Sequence, residues 1–272
     1  MKKLLILFML CSFQLIQAQE VELGVKGGVA LYSGDLSAKE FGVYFETLGP
    51  SFGGFTRINF NRHFAIRFDL TYGQIIGSDD FGTAPNRGLE IKTNIFEFAA
   101  QGELSLFTVG KYTTWSPYVF GGIGIFRFNP EGLFDGEYID LQPLGTEGQG
   151  LPGYEDPYRL TQFAIPMGIG MKFVFDQSWT LGFEFGGRKL FTDYLDDITG
   201  NQINFLDVLT GNGEIAATLS APNLLERENL DIDYTRGGEF NDWYYFGQVT
   251  LSFFFGKGGS RGGATGIPCY QF

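Results

Sequence analysis

Cysteine and histidine are nearly absent from this 272-residue chain, with two Cys and one His. Such counts exclude a disulfide framework, and they exclude metal centres built from several His and Cys ligands. They leave little for nucleophilic catalysis, where an activated serine needs a general base, most often His. The one histidine, His63, follows a short break at 61–62 and has no recognisable serine partner, so no enzyme is expected. The glycine-rich stretch Gly121-Gly122-Ile123-Gly124 lacks the lysine and the following helix of a phosphate loop. Basic residues are also scarce, 19 against 31 acidic, for a net charge of −12. A chain of that sign is a poor partner for nucleic acid. Finally, past the first twenty residues no apolar run approaches the roughly 18 residues that a membrane helix needs.

The start of the chain reads as an export signal. Lys2 and Lys3 precede the apolar run Leu4–Leu10, and Gln17-Ala18-Gln19 supplies a cleavage zone, so residues 1–19 are expected to be a removed signal peptide. A buried N-terminal helix is the alternative. Lipid attachment at Cys11 is disfavoured by the bulky Leu10 before it. Loss of the leader leaves 17 basic residues against 31 acidic and makes Cys269 the only cysteine. An odd cysteine in an exported protein points to an intermolecular disulfide or a free thiol.

What the chain does have is glycine and aromatics: 40 Gly, 30 Phe and 13 Tyr. They fall in segments with a period of two. From Phe64 to Tyr72 every even position is apolar, and the odd positions are small, polar or charged. A helix would mix these classes, whereas a strand separates them. The same alternation runs through eight segments, roughly 20–32, 51–60, 63–76, 90–107, 116–128, 159–175, 179–194 and 241–255. The second is weak, and the glycine-rich fifth permits either face to point inward.

The connections alternate in length: long at 33–50, short at 61–62, long at 77–89, short at 108–115, long at 129–158, short at 176–178 and long at 195–240. This is the arrangement of an up-and-down transmembrane barrel. The expected fold is all-β: an eight-stranded antiparallel transmembrane β-barrel over 20–255, with long extracellular loops and short periplasmic turns, in the outer membrane. A periplasmic tail, 256–272, would follow. A soluble barrel or sandwich is the alternative; it would turn the aromatic face inward and the charged face outward.

With the aromatic face toward lipid, the other face fills the lumen. It then holds Lys26, Arg57, Arg67, Asp69, Glu97, Glu103, Lys172, Glu184 and Arg188. Eight strands enclose a lumen just wide enough for side chains. These charges are therefore expected to pair into a plug rather than line a pore. The long loops are acidic: 129–158 holds seven acids and no Lys or Arg, and 195–242 holds ten acids against Arg227 and Arg236. Such loops suit divalent cations, a basic partner, or simple solvation. Residues 215–228 have a moderately helical pattern, with Pro222 either starting or breaking the helix.

Four stretches go beyond general barrel character: Pro143–Gly150, PLGTEGQG; Leu190–Gly200, LFTDYLDDITG; Gly211-Asn212-Gly213-Glu214; and Thr235–Phe246, TRGGEFNDWYYF. In this order, with Cys269 in a short tail, they resemble the PorG family of the type IX secretion system of Bacteroidetes. The resemblance implies a non-enzymatic adaptor that needs no cofactor and ties a periplasmic ring, built from a PorK-like lipoprotein and a PorN-like protein, to the outer membrane. The motif residues have architectural readings too. Asp193, Asp196 and Asp197 suit a strand top or helix start, and Arg236-Gly237-Gly238 suits the approach to the last strand. The tail ends in an apolar patch of Ile267, Pro268, Tyr270 and Phe272 around Cys269. A tether is one reading of it: the patch docks on a periplasmic protein and Cys269 locks it covalently. An unpaired thiol in a frayed tail is the other.

Overall fold

The computed structural model describes residues 20–37, 48–80, 88–109, 113–175, 178–238 and 241–255. The leader, 1–19, and the tail with Ile267, Cys269, Tyr270 and Phe272 lie outside the described residues. Eight long strands form the frame: β1 (Glu20–Ser33), β2 (Gly49–Asn59), β3 (Phe64–Ser78), β4 (Glu90–Ser105), β5 (Trp115–Phe134), β7 (Thr161–Phe175), β8 (Trp179–Leu190) and β11 (Trp243–Phe255). Each pairs antiparallel with its neighbour in this order, and β11 returns to β1, Val21 opposite Phe255 and Ser33 opposite Trp243. The sheet therefore closes and has no free edge, which is the condition for strands to cross a membrane.

Alternation decides the two faces. On β3, Leu70 is 64% exposed while its neighbours Asp69 and Thr71 are 0% and 3% exposed. Val25, Ile123, Phe163 and Ile169 stand outward on other strands at 63–71% exposure. A continuous apolar exterior around a charged interior is the surface of a membrane-spanning barrel, not of a soluble one. The ambiguous fifth segment resolves the same way: Tyr118, Phe120, Phe126 and Phe128 point inward, and Val119, Ile123 and Ile125 outward. Inward rings are seated over glycines. A Cβ on Gly170 would collide with the Tyr118 ring, and one on Gly24 with Phe55.

Two strand lengths differ from expectation, and the last long connection resolves into short elements. β5 does not stop at 128 but continues to Phe134, turns at Asp135-Gly136 and pairs with β6 (Glu137–Asp140). Both turn residues have positive φ, 52° and 84°, so the loop begins with a tight hairpin. β8 ends at Leu190 rather than 194, because the chain turns inward there to bury Leu195 and Ile198. The last long connection holds two short helices, α1 (Phe205–Gly211) and α2 (Glu214–Ser220), followed by a 3-10 turn at Pro222–Leu224. Pro222 thus breaks the helical pattern after α2 and opens the 3-10 turn. A small pair, β9 (Gln202–Asn204) with β10 (Asp233–Thr235), closes this layer.

The interior has two levels. The short-turn half is ionic. The long-loop half is apolar, with Ile75, Ile91, Ile95, Phe126, Phe128, Tyr244 and Phe246 packed under Leu141, Leu195 and Leu219 from the loops. A second apolar cluster, including Phe205, Val208 and Ala217, forms the core of the cap itself.

Candidate functional site

The ionic level is built from residues of one parity on successive strands, so each side chain enters the same narrow space from a different wall. Arg67 is its hub. Its guanidinium lies 2.9 Å from Asp69 and 3.0 Å from Glu103, and also pairs with Glu184 from across the lumen. The ring of Phe55 lies 5.4 Å from it and the ring of Phe120 5.3 Å. Lys26 donates to Asp69 at 2.6 Å. Arg57 joins Glu22 at 3.0 Å to Glu103 at 2.9 Å. Arg188 holds both oxygens of Glu97 at 3.0 Å, and Tyr244 donates to the same carboxylate at 2.7 Å. Lys172 is half-buried over the Tyr118 ring at 5.4 Å.

The structure therefore brings together all nine charged residues that alternation assigned to the lumen. It adds Glu22, which shares the parity of Lys26 on β1 and was readable from that alone. It also adds Tyr118 and Tyr244, whose hydroxyls reach Glu184 and Glu97. With Glu22 included, five cations face five carboxylates, and Arg57, Arg67, Asp69 and Glu103 are each at most 1% exposed. The apolar level closes the lumen above them. Purified protein in a planar bilayer is expected to show no stable single-channel conductance, and discrete reproducible steps would overturn this.

Above the barrel, the four motif stretches converge. Thr146 donates to Asp197 Oδ2, and Tyr158 donates to Asp197 Oδ1 at 2.6 Å. Arg236 reaches Thr146 at 2.9 Å, the Asp197 carbonyl at 2.7 Å and the Glu147 carboxylate at 3.6 Å. Glu147 accepts from the Thr199 amide and hydroxyl at 2.8 and 2.6 Å. Asn212 donates to the Gly145 carbonyl at 2.7 Å. Apart from the half-buried Asn212 these groups are buried, so the motif residues latch one loop to another. No helix starts at Asp193–Asp197; the helix cap is Asn204, which accepts from the Leu206 and Asp207 amides. Arg236 is 6% exposed, which makes it part of the latch.

Two carboxylates share one guanidinium in this latch. Burial pushes Glu147 up to about 7 and outweighs the attraction of Arg236, while Asp197 is raised for the same reason. Beside them, burial and neighbouring carboxylates raise Asp196 and Asp242, which both contact the Tyr32 hydroxyl. A carboxyl with a raised value in the closed cap releases its proton more readily when the cap opens. Its contribution is then full below the ordinary carboxylate range and is lost as pH rises through about 7. Amide exchange at 195–199, corrected for intrinsic rates, is expected to show lower protection at pH 8 than at pH 5. Glu147→Gln should flatten that difference, and an unchanged pH dependence in the variant would count against it.

His63 sits at the β2–β3 turn, with Nδ1 2.9 Å from the Ser105 carbonyl and Nε2 3.2 Å from the Thr108 hydroxyl. It ties two short turns together. Among the described residues no group of three or more His, Cys, Asp or Glu is placed to hold a metal ion.

Several solved barrels are similar in structure. The N-terminal β-barrel domain of Pseudomonas aeruginosa OprF has 12% identity, covers 88% of this chain and 98% of its own, and gives a TM-score of 0.38. Neisserial surface protein A has 10% identity, coverage of 88% and 97%, and a TM-score of 0.42. OprG from Pseudomonas aeruginosa has 10% identity, coverage of 88% and 96%, and a TM-score of 0.43. No curated protein matches the chain in sequence. Residues 1–216 match a family described as a domain of unknown function, DUF6089, and the chain belongs to that family.

Proposed function

We propose that this protein is a non-enzymatic outer-membrane barrel that serves as an adaptor of a type IX protein secretion system. The observation that carries the reading is the filled lumen: paired charges below and an apolar plug above leave no path for a transported substrate. Such a barrel works through its surfaces and ends. Both ends of the β-frame, Glu20 and Phe255, lie at the short-turn side, which is the periplasmic side in this reading. A periplasmic ring of PorK-like and PorN-like proteins, as the PorG resemblance implies, would be engaged there. Cys269, with Ile267, Tyr270 and Phe272, would form the covalent contact. The test is co-purification from membranes of wild type and of Cys269→Ser, resolved without reductant. Ring components should accompany the wild type, and a disulfide-linked species should vanish in the variant. If no ring protein co-purifies and deletion leaves export intact, the adaptor reading is wrong.

The folded cap favours a second reading. A latched layer with its own core, rather than loose loops, also suits a structural barrel or adhesin that presents a fixed acidic face outward. Surface binding that survives loss of the secretion system would favour that alternative.

A further inference from the structure

One flank of the barrel exterior differs in charge from the rest. On β5 the outward column runs Trp115, Val119, Ile123, Ile125 and then Arg127, with the apolar residues and Arg127 all exposed except the half-exposed small positions between them. A tilted strand needs about 10 residues to cross the apolar band. Counted upward from Trp115, the band therefore ends at Ile125, and Arg127 stands at its outer boundary. Across the β5–β7 ladder Arg127 faces Thr161. The pairing continues upward through the Phe128 amide to the Leu160 carbonyl at 3.0 Å, so Arg159 lies diagonally beside Arg127. On β8 the outward column Trp179, Leu181, Phe183, Phe185 and Gly187 ends in Lys189, opposite Ile165 of β7. Arg127, Arg159 and Lys189 are all exposed.

None of the three has a carboxylate partner among the described residues. The acids nearest along the ladder are already engaged: Glu131 by Lys92 at 2.9 Å, and Asp140 by Asn129 at 2.6 Å. At the same level on β3 and β4 the outward groups are neutral, Tyr72, Gln74 and Asn94, and they hydrogen-bond one another. The chain as a whole is acidic, yet among the described residues at the long-loop end of the strand frame three outward cations without a carboxylate partner gather on β5, on β8 and just before β7, where lipid headgroups begin. Arginine pairs bidentately with phosphate, and a basic cluster at a membrane boundary attracts anionic headgroups.

We propose that Arg127, Arg159 and Lys189 form a binding flank for the phosphate groups of an anionic glycolipid in the outer leaflet. Thr161 supplies a neutral hydroxyl between the two arginines, and the apolar column of Ile125, Phe163 and Ile165 beneath them accepts the acyl chains. The inference rests on the outer-membrane reading above.

The test uses the full chain in phosphatidylcholine nanodiscs containing a small fraction of bisphosphorylated lipid A. Lipid retained after capture in mild detergent is counted by mass spectrometry. Wild type should retain about thirtyfold more of it than Arg127→Gln/Arg159→Gln, as two headgroup contacts are lost. Arg62→Gln, an exposed change near the opposite rim, should retain as much as wild type. Dephosphorylated lipid A should show no preference for wild type, and inorganic phosphate should not displace the lipid. Equal retention by the double variant, or equal retention of the dephosphorylated lipid, overturns the proposal. Insertion is read separately by the heat-dependent gel shift of a folded barrel. A wild type that fails to insert defeats the outer-membrane reading and the proposal with it. An inserted wild type with no phosphate preference defeats the proposal alone.

Discussion

Arg67→Met is expected to destabilise the barrel by about 3–5 kcal/mol, the usual cost of breaking a buried ion network from one side. Methionine fills much of the same volume between the Phe55 and Phe120 rings, so the cost is electrostatic rather than a cavity. Three carboxylates lose a common partner. Asp69 keeps Lys26, Glu103 keeps Arg57, and Glu184 keeps only the Tyr118 hydroxyl among its direct partners here. Glu184 is therefore the group left worst compensated. Equilibrium urea unfolding in phospholipid vesicles measures the loss. Adding Glu184→Gln to Arg67→Met should recover part of it, which gives a coupling between residues 117 positions apart. A loss below about 1 kcal/mol would mean that water reaches the lumen and that the plug is not sealed.

Leu70→Arg is expected to cost about 2–4 kcal/mol, the penalty for a cation at the bilayer midplane on the lipid face of a barrel. Leu70 is mid-strand, paired with Gly54 and Phe98, and 64% exposed. Leu133→Arg is the matched control. Leu133 also points outward and is 38% exposed, but it lies on β5 beyond Arg127, outside the apolar band. Its change should cost about 0–1 kcal/mol. In a soluble barrel both substitutions would be ordinary surface changes within about 0.5 kcal/mol. The difference between them therefore tests the membrane span independently of sequence patterning.

The strands were legible because the environment on each side of the wall is uniform. A two-residue period survives wherever lipid meets one face and a packed lumen the other. β2 was the weak segment for a local reason: Gly53-Gly54 interrupts its pattern, and the inward Phe55 places an aromatic ring on the face otherwise read as polar. β5 was ambiguous because its inner face changes character along its length, from Tyr118 and Phe120 near the ions to Phe126 and Phe128 in the apolar plug. The lumen charges followed from parity, and Glu22 was missed only because its strand had just begun.

The cap was less legible, since its contacts join distant segments and carry no period. Thr146, Asp197 and Arg236 meet across 90 residues of sequence, and nothing in the local pattern of any one motif names the others. The helix α1, at seven residues, is too short to show a period. The Asp135-Gly136 hairpin was a readable signal, because Asp-Gly is a strong short-range turn marker. It was absorbed into an acidic loop because acids surround it.

Glu22 is held at once by Arg57 from β2 and by the Ser252 hydroxyl from β11, partners 35 and 230 residues away. Arg67 likewise needs Glu184 from β8. The Ser252 bond spans the seam where the last strand meets the first and the Glu184 pair crosses the lumen, so the ion pairs that lie within β1–β4 are completed only by strands made last. Until β11 zips onto β1, the inner wall must stay wet. Closing the ring therefore also completes the charge pairing of the lumen and expels its last water. A chain caught before that moment would be an open, hydrated sheet that bare bilayer rejects.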